Sequence, residues 1–143
     1  MKLGIVGQGF VGTAVKEVMS NYYTVNTFDI KQKCTCDSLH ELVNTSDIVF
    51  VCVPTPMNED GSCYTGIVES VVSDINDTVE DNSKIVVIKS TIPPGTTDRL
   101  NKKYKNITII FNPEFLTEAN FVEDFRNQDR IIVGGQRPAT SVL

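Results

Sequence analysis

Residues 7–12 read Gly7-Gln8-Gly9-Phe10-Val11-Gly12, a Gly-x-Gly-x-x-Gly motif between an apolar run at 2–6 and a stretch with helical spacing at 10–19. Each glycine has its own purpose: the first permits a tight turn, the second lets a diphosphate reach the backbone, and the third allows close packing of helix on strand. The backbone N–H groups of Phe10 and Val11 would face the phosphates at the positive end of the helix. The motif therefore predicts a strand, turn and helix that bind a dinucleotide.

A carboxylate follows at the distance that such a site requires. Asp29 closes an aromatic and β-branched run at 23–28, about 20 residues beyond the glycines, where an acidic residue binds the ribose hydroxyls. A carboxylate there repels a 2′-phosphate, so NAD is favoured over NADP. Lys31 and Lys33 could instead reach toward a phosphate, although they also fit ordinary solvated loop residues.

Apolar runs alternate with helix-like stretches along the chain. The predicted strands cover residues 2–6, 23–28, 47–53, 84–89, 107–111 and 130–133, and the predicted helices cover 10–19, 38–44, 67–79 and 96–104. This order predicts an α/β fold of the Rossmann type, with a doubly wound, mostly parallel six-stranded sheet and helices on both faces. The length fits one domain over residues 1–143.

Composition excludes several classes of function. The formal net charge is −5 without a Lys/Arg cluster, so no nucleic-acid partner is expected. No apolar run approaches the roughly 18 residues of a membrane span, and glycines interrupt the apolar start too early for a signal peptide. We therefore expect a cytoplasmic protein without a membrane partner.

The cysteines and the lone histidine predict no metal site and no disulfide framework. Cys34 and Cys36 lack the spacing of a zinc pair, and His40 is the only histidine of the chain. In the intracellular setting that we expect, Cys52 and Cys63 are also interpreted as free thiols.

Three polar segments follow predicted strands, at residues 53–56 (Val-Pro-Thr-Pro), 89–97 (Lys-Ser-Thr-Ile-Pro-Pro-Gly-Thr-Thr) and 112–118 (Asn-Pro-Glu-Phe-Leu-Thr-Glu). Because ligands bind at the carboxyl ends of the strands in this fold, these segments should line one cleft. Carboxylates beside a bound cofactor suit proton transfer and water activation.

These segments, followed by Asp-Arg-Ile-Ile-Val-Gly at 129–134, resemble the strand-end motifs of the UDP-glucose/GDP-mannose dehydrogenase family. The resemblance covers essentially the whole chain, but only the N-terminal, NAD-binding domain of the family. That family oxidises the C6 alcohol of a nucleotide sugar to a carboxylate with two NAD. The resemblance implies an NAD-dependent oxidoreductase acting on a nucleotide sugar such as UDP-glucose. Full-length relatives dimerise through a central helix that is missing here, so we expect a monomer or a weak dimer.

The resemblance also implies residue roles. The cofactor-binding residues would be Gly7, Gly9, Phe10, Val11, Gly12, Asp29, Val53, Pro54, Thr55, Ser90 and Glu118. The catalytic residues would be Thr91, Glu114 and Glu118, and the substrate-binding residues would be Glu114, Phe115, Leu116 and Thr117. Simpler interpretations stay open: Glu114 could cap a helix, Thr91 could be an ordinary hydroxyl before a turn, and Lys89 could be purely structural.

The chain also departs from the family pattern. No Gly-Phe-Gly-Gly-x-Cys-like segment occurs, so we expect that this chain alone does not complete the oxidation. The segment between Asp29 and Ser38 is short, which puts adenine-side affinity in doubt, and the bulky Phe121 stands where the family has a small residue. Two alternatives remain: a β-hydroxyacid dehydrogenase domain of the 6-phosphogluconate type, and a stand-alone binding module without catalysis.

Overall fold

The computed structural model describes residues 1–80 and 84–143, and a parallel sheet forms its centre. The strands are β1 (Lys2–Val6), β2 (Thr24–Phe28), β3 (Ile48–Val51), β4 (Lys84–Ile88) and β5 (Ile107–Phe111). They lie in the order β2-β1-β3-β4-β5, and every neighbouring pair is parallel. In register, Val6 lies opposite Phe28 on one side and Val51 on the other. The carboxyl ends of these strands therefore lie side by side at one end of the sheet.

Helices connect the strands and cover both faces of the sheet. They are α1 (Phe10–Met19), α2 (Leu39–Thr45), α3 (Gly66–Thr78), α4 (Thr96–Lys103) and α5 (Phe121–Arg126), followed by a 3-10 turn at Ala139–Ser141. The side chain of Ser38 caps α2 by accepting a hydrogen bond from the Glu41 backbone N–H at 3.1 Å. The sequence predicted the first four helices, but α5 was missed.

Each face of the sheet carries its own hydrophobic core, because successive strand residues point to opposite sides. In β3, Val49 and Val51 belong to the core that α2, α3 and α4 cover. Ile48 and Phe50 belong to the core that α1 and α5 cover. All four are buried, as a parallel sheet enclosed by helices requires. The predicted α/β class of Rossmann type is confirmed.

The predicted sixth strand is wrong. Residues 130–133 form no strand, and the sheet that the described residues form has five strands. Gly134 instead makes one isolated antiparallel bridge with Phe111, through hydrogen bonds of 2.7 and 2.8 Å. Ile131 and Ile132 remain 58% and 47% exposed. Their β-branched shape favours a strand only where a partner and a face to pack against exist, and of this run only Val133 packs against the core.

At both edge strands of the sheet, backbone groups form hydrogen bonds with side chains or with the backbone of a neighbouring loop. On β2, the Thr27 N–H donates to Thr35 Oγ1 at 2.7 Å, and the Cys36 N–H donates to the Thr27 carbonyl at 3.0 Å. On β5, the Asn101 amide accepts from the Ile109 N–H at 2.9 Å and donates to the Ile109 carbonyl at 2.8 Å. Unpaired edge strands invite association with other chains, and these contacts oppose it.

Candidate dinucleotide-binding site

The glycines after β1 divide into two kinds. Gly7 has a φ of +92°, and a Cβ there would lie 2.5 Å from the Cys52 carbonyl oxygen. A Cβ at Gly12 would overlap the Gly7 carbonyl, whereas a Cβ at Gly9 would meet nothing within 4 Å. The fold itself therefore requires Gly7 and Gly12, while the bare backbone at Gly9 faces open space that a ligand can enter.

The first turn of α1 begins at this opening. Gly9 is its N-cap and supplies no side-chain hydrogen bond, so the first backbone N–H groups of the helix are left to an external acceptor. Phe10 is 51% exposed and its ring lies 5.4 Å from that of Phe121, while Val11 packs against the core beneath α1. Their backbone N–H groups, not their side chains, suit a bound diphosphate.

Asp29 is fixed beside the glycine turn. Its Oδ2 accepts a hydrogen bond from the Gln8 N–H at 2.8 Å, and its Oδ1 accepts one from the Lys31 N–H at 2.7 Å. The Gln32 side chain donates to the Gln8 carbonyl at 3.0 Å and closes the same loop. Each carboxylate oxygen has a second lone pair, so Asp29 can still accept from two ribose hydroxyls.

A cavity of about 800 Å³ joins the glycine turn to the end of β2, the end of β3 and the start of α3. The sequence-predicted residues that line it are Gly7, Gly9, Asp29, Val53 and Pro54. Its volume lies within the range of ligand sites, and its walls combine apolar side chains with a few polar groups, as such sites do. The bare backbone at Gly9 and the anchored Asp29 carboxylate both fit a dinucleotide in this cavity.

One wall of the cavity was missed by the sequence reasoning. The α3 residues Ile67, Ser70, Val71 and Asp74 line it, and their spacing places them on one side of the helix. Ile67 is 37% exposed and lines the cavity, while Val71 also packs against the core that α3 covers. Ile30, in the loop after β2, lines the cavity as well and is 86% exposed. The sequence carries no signal for this wall, because the exposure of the two isoleucines is seen only in the folded chain.

The loops after β3 and β4 are tied together near the cavity. The buried Ser90 hydroxyl donates to the Val53 carbonyl at 2.7 Å. The Cys63 thiol donates to the Thr91 carbonyl at 3.5 Å, and Thr91 is itself exposed. Ser90 therefore positions the end of β3 through a hydrogen bond, while its own side chain is not among the cavity walls.

Glu114 does not cap a helix, which corrects one interpretation of the sequence. Its Oε1 forms an ion pair with Lys89 Nζ, and the two side chains are 6% and 1% exposed. Burial lowers the pKa of Lys89 to about 8. A pKa of about 8 leaves Lys89 mainly in its charged form at pH 7.

The remaining predicted residues lie after β5 and outside the cavity lining. Phe115 is 70% exposed, and Leu116 packs against the core beneath α1 and α5. The Thr117 hydroxyl donates to the Asp124 carboxylate of α5 at 2.6 Å, and Glu118 is exposed. The structure therefore separates the predicted substrate segment from the predicted cofactor cavity.

The cysteines are free, as expected. Burial raises the pKa of Cys52 to about 12, so its thiol is protonated at neutral pH and a poor nucleophile. Within residues 1–80 and 84–143, no group of three His, Cys, Asp or Glu side chains could hold a metal ion. None of the described helices has the length and apolar character to span a membrane.

A parallel sheet, a glycine turn after its first strand and an anchored carboxylate after its second define a dinucleotide-binding domain of the Rossmann type. Residues 26–143 match the model of the UDP-glucose/GDP-mannose dehydrogenase family, NAD binding domain. The chain belongs to this family, and its cofactor is NAD.

Individual relatives agree with the family assignment. Putative UDP-glucose 6-dehydrogenase YtcA of Bacillus subtilis is 28% identical over 171 residues, which covers 95% of this chain and 40% of the relative. UDP-glucose 6-dehydrogenase of Pseudomonas aeruginosa is 36% identical over 107 residues, covering 68% of this chain and 23% of the relative. The fold matches a ternary complex of GDP-mannose dehydrogenase from Pseudomonas aeruginosa with a TM-score of 0.87 at 21% identity, over 99% of this chain and 42% of that one. The chain thus spans less than half the length of each.

Proposed function

We propose that this chain is the cofactor-binding part of an NAD-dependent nucleotide-sugar 6-dehydrogenase, which oxidises the C6 alcohol of a UDP-glucose-like sugar to a carboxylate with two NAD. The observation that carries the proposal is the open space at Gly9 beside the Asp29 carboxylate that Gln8 anchors. The names of the similar UDP-glucose 6-dehydrogenases support the reaction.

The cavity suggests how the adenosine half of NAD is held. The diphosphate lies against the backbone at Gly9 and the first turn of α1, and the adenosine ribose lies against Asp29. The adenine ring packs against Ile30 and Ile67, because these exposed aliphatic side chains both line the cavity. The short segment after Asp29 therefore leaves an apolar site for the base.

The nicotinamide half points along the carboxyl edge of the sheet. Val53 and Pro54 line the cavity there, Thr55 follows them, and Ser90 holds the Val53 carbonyl at 2.7 Å. Bound NAD supplies the hydride acceptor. Glu118, which is exposed after β5, completes the proposed cofactor contacts.

The proposed reacting groups lie beyond the nicotinamide end. Thr91 is exposed after β4, and the buried Glu114 carboxylate has one oxygen without a partner among residues 1–80 and 84–143. A hydroxyl and a carboxylate at neighbouring strand ends suit the positioning of water and the movement of protons, with Glu118 as a further acid or base. Phe115, Leu116 and Thr117 together with Glu114 would contact the sugar nucleotide.

Three expectations remain part of this proposal: residues 1–143 form one domain, the protein is cytoplasmic, and the chain is a monomer or a weak dimer. The 6-phosphogluconate-type alternative is less well supported. A 3-hydroxyisobutyrate dehydrogenase from Mycobacterium tuberculosis matches with a TM-score of 0.77, but at 14% identity this is a likeness of fold alone.

The test combines binding with turnover. Calorimetric titration of the chain with NAD should show saturable binding, and added UDP-glucose should produce no sustained NAD reduction at 340 nm, a standard wavelength for reduced NAD. Absence of NAD binding would contradict the cofactor role. Sustained reduction would contradict the expectation that this chain alone does not complete the oxidation.

A further inference from the structure

A buried ion pair joins the carboxyl ends of β4 and β5. Lys89 follows β4, and its ammonium contacts Oε1 of Glu114, which follows β5. The same ammonium donates to Asn112 Oδ1 at 2.7 Å and lies 5.4 Å from the centre of the Phe125 ring. Asn112 is held in turn, because its amide donates to the Ile132 carbonyl at 2.9 Å. The ammonium is therefore clamped on several sides.

These contacts provide a partner for only one of the two Glu114 carboxylate oxygens. Its Oε2 is buried and has no hydrogen-bond partner within the described part of the chain. A buried polar atom without a partner is unfavourable, so a donor from outside the chain is expected at this oxygen. Because Oε1 pairs with Lys89, the Glu114 carboxylate cannot rotate so that both oxygens leave their buried positions.

Apart from Lys89, few groups could affect the charge or the orientation of the Glu114 carboxylate. The Cys52 thiol lies close enough for its charge state to couple to Lys89, and burial holds its pKa at about 12, so it stays neutral. Asn112, Phe125 and the Ile132 carbonyl are not titratable. The charge that faces Glu114 therefore comes from Lys89.

We propose that Lys89 is a positioning residue: by pairing with Oε1 it fixes the Glu114 carboxylate so that Oε2 accepts a hydrogen bond from one water molecule or one substrate hydroxyl. This rests on the proposed function, in which Glu114 acts at the reacting end of the cofactor. It gives Lys89 a role beyond support of the strand end, since Lys89 would control the charge and direction of a group that meets the substrate.

The test follows the Glu114 carboxyl carbon by ¹³C NMR in a Glu-labelled chain. In the native protein this carbon should report an ionised carboxylate at pH 7, because Lys89 pairs with it. In Lys89→Met, whose side chain keeps a similar length without the charge, the protonated fraction at that pH should rise, because a buried carboxylate without a counter-ion is disfavoured. Lys89→Arg should restore the native behaviour, since a guanidinium can also pair with a carboxylate.

A second measurement keeps the proposal testable if Lys89→Met does not fold. A high-resolution crystal structure of the native chain should show an ordered water on Glu114 Oε2, and Glu114→Gln should displace that water or alter its partners. An unchanged protonated fraction of Glu114 in a folded Lys89→Met, or an Oε2 without a donor in the crystal, would overturn the proposal. Titration of the native chain with NAD tests the cofactor role separately, so failure of one result does not decide the other.

Discussion

The Asp29 carboxylate accepts a hydrogen bond from the Gln8 backbone N–H at 2.8 Å, which joins the end of β2 to the glycine turn after β1. The other carboxylate oxygen accepts a hydrogen bond from the Lys31 N–H, so both oxygens of Asp29 are held. A group already fixed in its binding position loses little freedom when a ligand arrives. The contact between Asp29 and Gln8 therefore fixes the ribose position of the proposed NAD site relative to the diphosphate position before the ligand binds.

Asp29→Ala should weaken NAD binding more than NADP binding. The substitution removes the acceptor for the ribose hydroxyls, but it also removes the repulsion that disfavours a 2′-phosphate. We expect the NAD affinity to fall by about tenfold or more, which corresponds to the loss of a hydrogen bond to a charged group. Calorimetric titration with both cofactors measures this, and Asp29→Asn serves as a control of similar shape. An equal loss for the two cofactors would count against the ribose role.

Gly9 and Gly12 should respond in opposite ways to the same substitution. Gly9→Ser should leave the free energy of unfolding within about 1 kcal/mol, because serine is a good N-cap and a Cβ there meets nothing within 4 Å. NAD binding should nevertheless fall sharply, since the new side chain fills the approach to the backbone. Gly12→Ser should destabilise the fold by more than about 2 kcal/mol, because its Cβ overlaps the Gly7 carbonyl.

Urea denaturation and NAD titration of the two variants separate these effects. A destabilised Gly9→Ser would show that the fold requires Gly9, and a Gly9→Ser that binds NAD like the native chain would show that the ligand does not require a bare backbone there.

Asn101→Ala should expose the β5 edge. It removes both hydrogen bonds to the Ile109 backbone, so we expect the free energy of unfolding to fall by about 1–3 kcal/mol and self-association to rise with concentration. Chemical denaturation and analytical ultracentrifugation measure the two effects. Lys102→Ala, at an exposed neighbouring position of α4, is the control. Equal behaviour of both variants would mean that Asn101 does not protect the edge.

The Glu69–Arg99 pair should contribute to stability in a pH-dependent way. Arg99 donates to the two Glu69 carboxylate oxygens at 3.1 and 2.7 Å, and chiefly this contact lowers the Glu69 pKa from 4.5 to about 2. Because the folded pKa lies below the unfolded one, the contribution is complete above pH 4.5 and is lost as the pH falls toward 2.

Glu69→Gln should therefore lower stability at pH 7 by roughly 0.5–1 kcal/mol, since the pair is largely solvent-exposed. The difference from the native chain should shrink below pH 4.5. Thermal unfolding from pH 2 to 7 measures it, with Glu17→Gln on the exposed surface of α1 as the control. A difference that stays constant with pH would show that the pair does not carry the effect.

Local sequence was sufficient for the features that depend on backbone conformation and strand ends. The glycine turn needs only its own residues and the strand before it, so Gly7, Gly9 and Gly12 could be assigned directly. Asp29 follows from its position at the end of β2. Gly7, Gly9 and Asp29 line the same cavity.

Features that depend on neighbours could not be predicted in the same way. Ile67 and Val71 have helical spacing, which is the same for a core face and a cavity face, so only the packed helix shows where they point. The run at 130–133 has strand-like residues, but the sequence does not show whether a strand edge is free to pair with it. The contact of Lys89 with Glu114 depends on the register of β4 and β5, which no single segment contains.

The most direct test of the NAD site is an amide ¹H–¹⁵N NMR titration of this chain with NAD. Binding of NAD in the cavity between β1, β2 and α3 should produce saturable shifts at Gly9, Val11, Asp29 and Ile67. Shifts confined to α4 and β5, or no shifts when NAD is added in large excess, would contradict it.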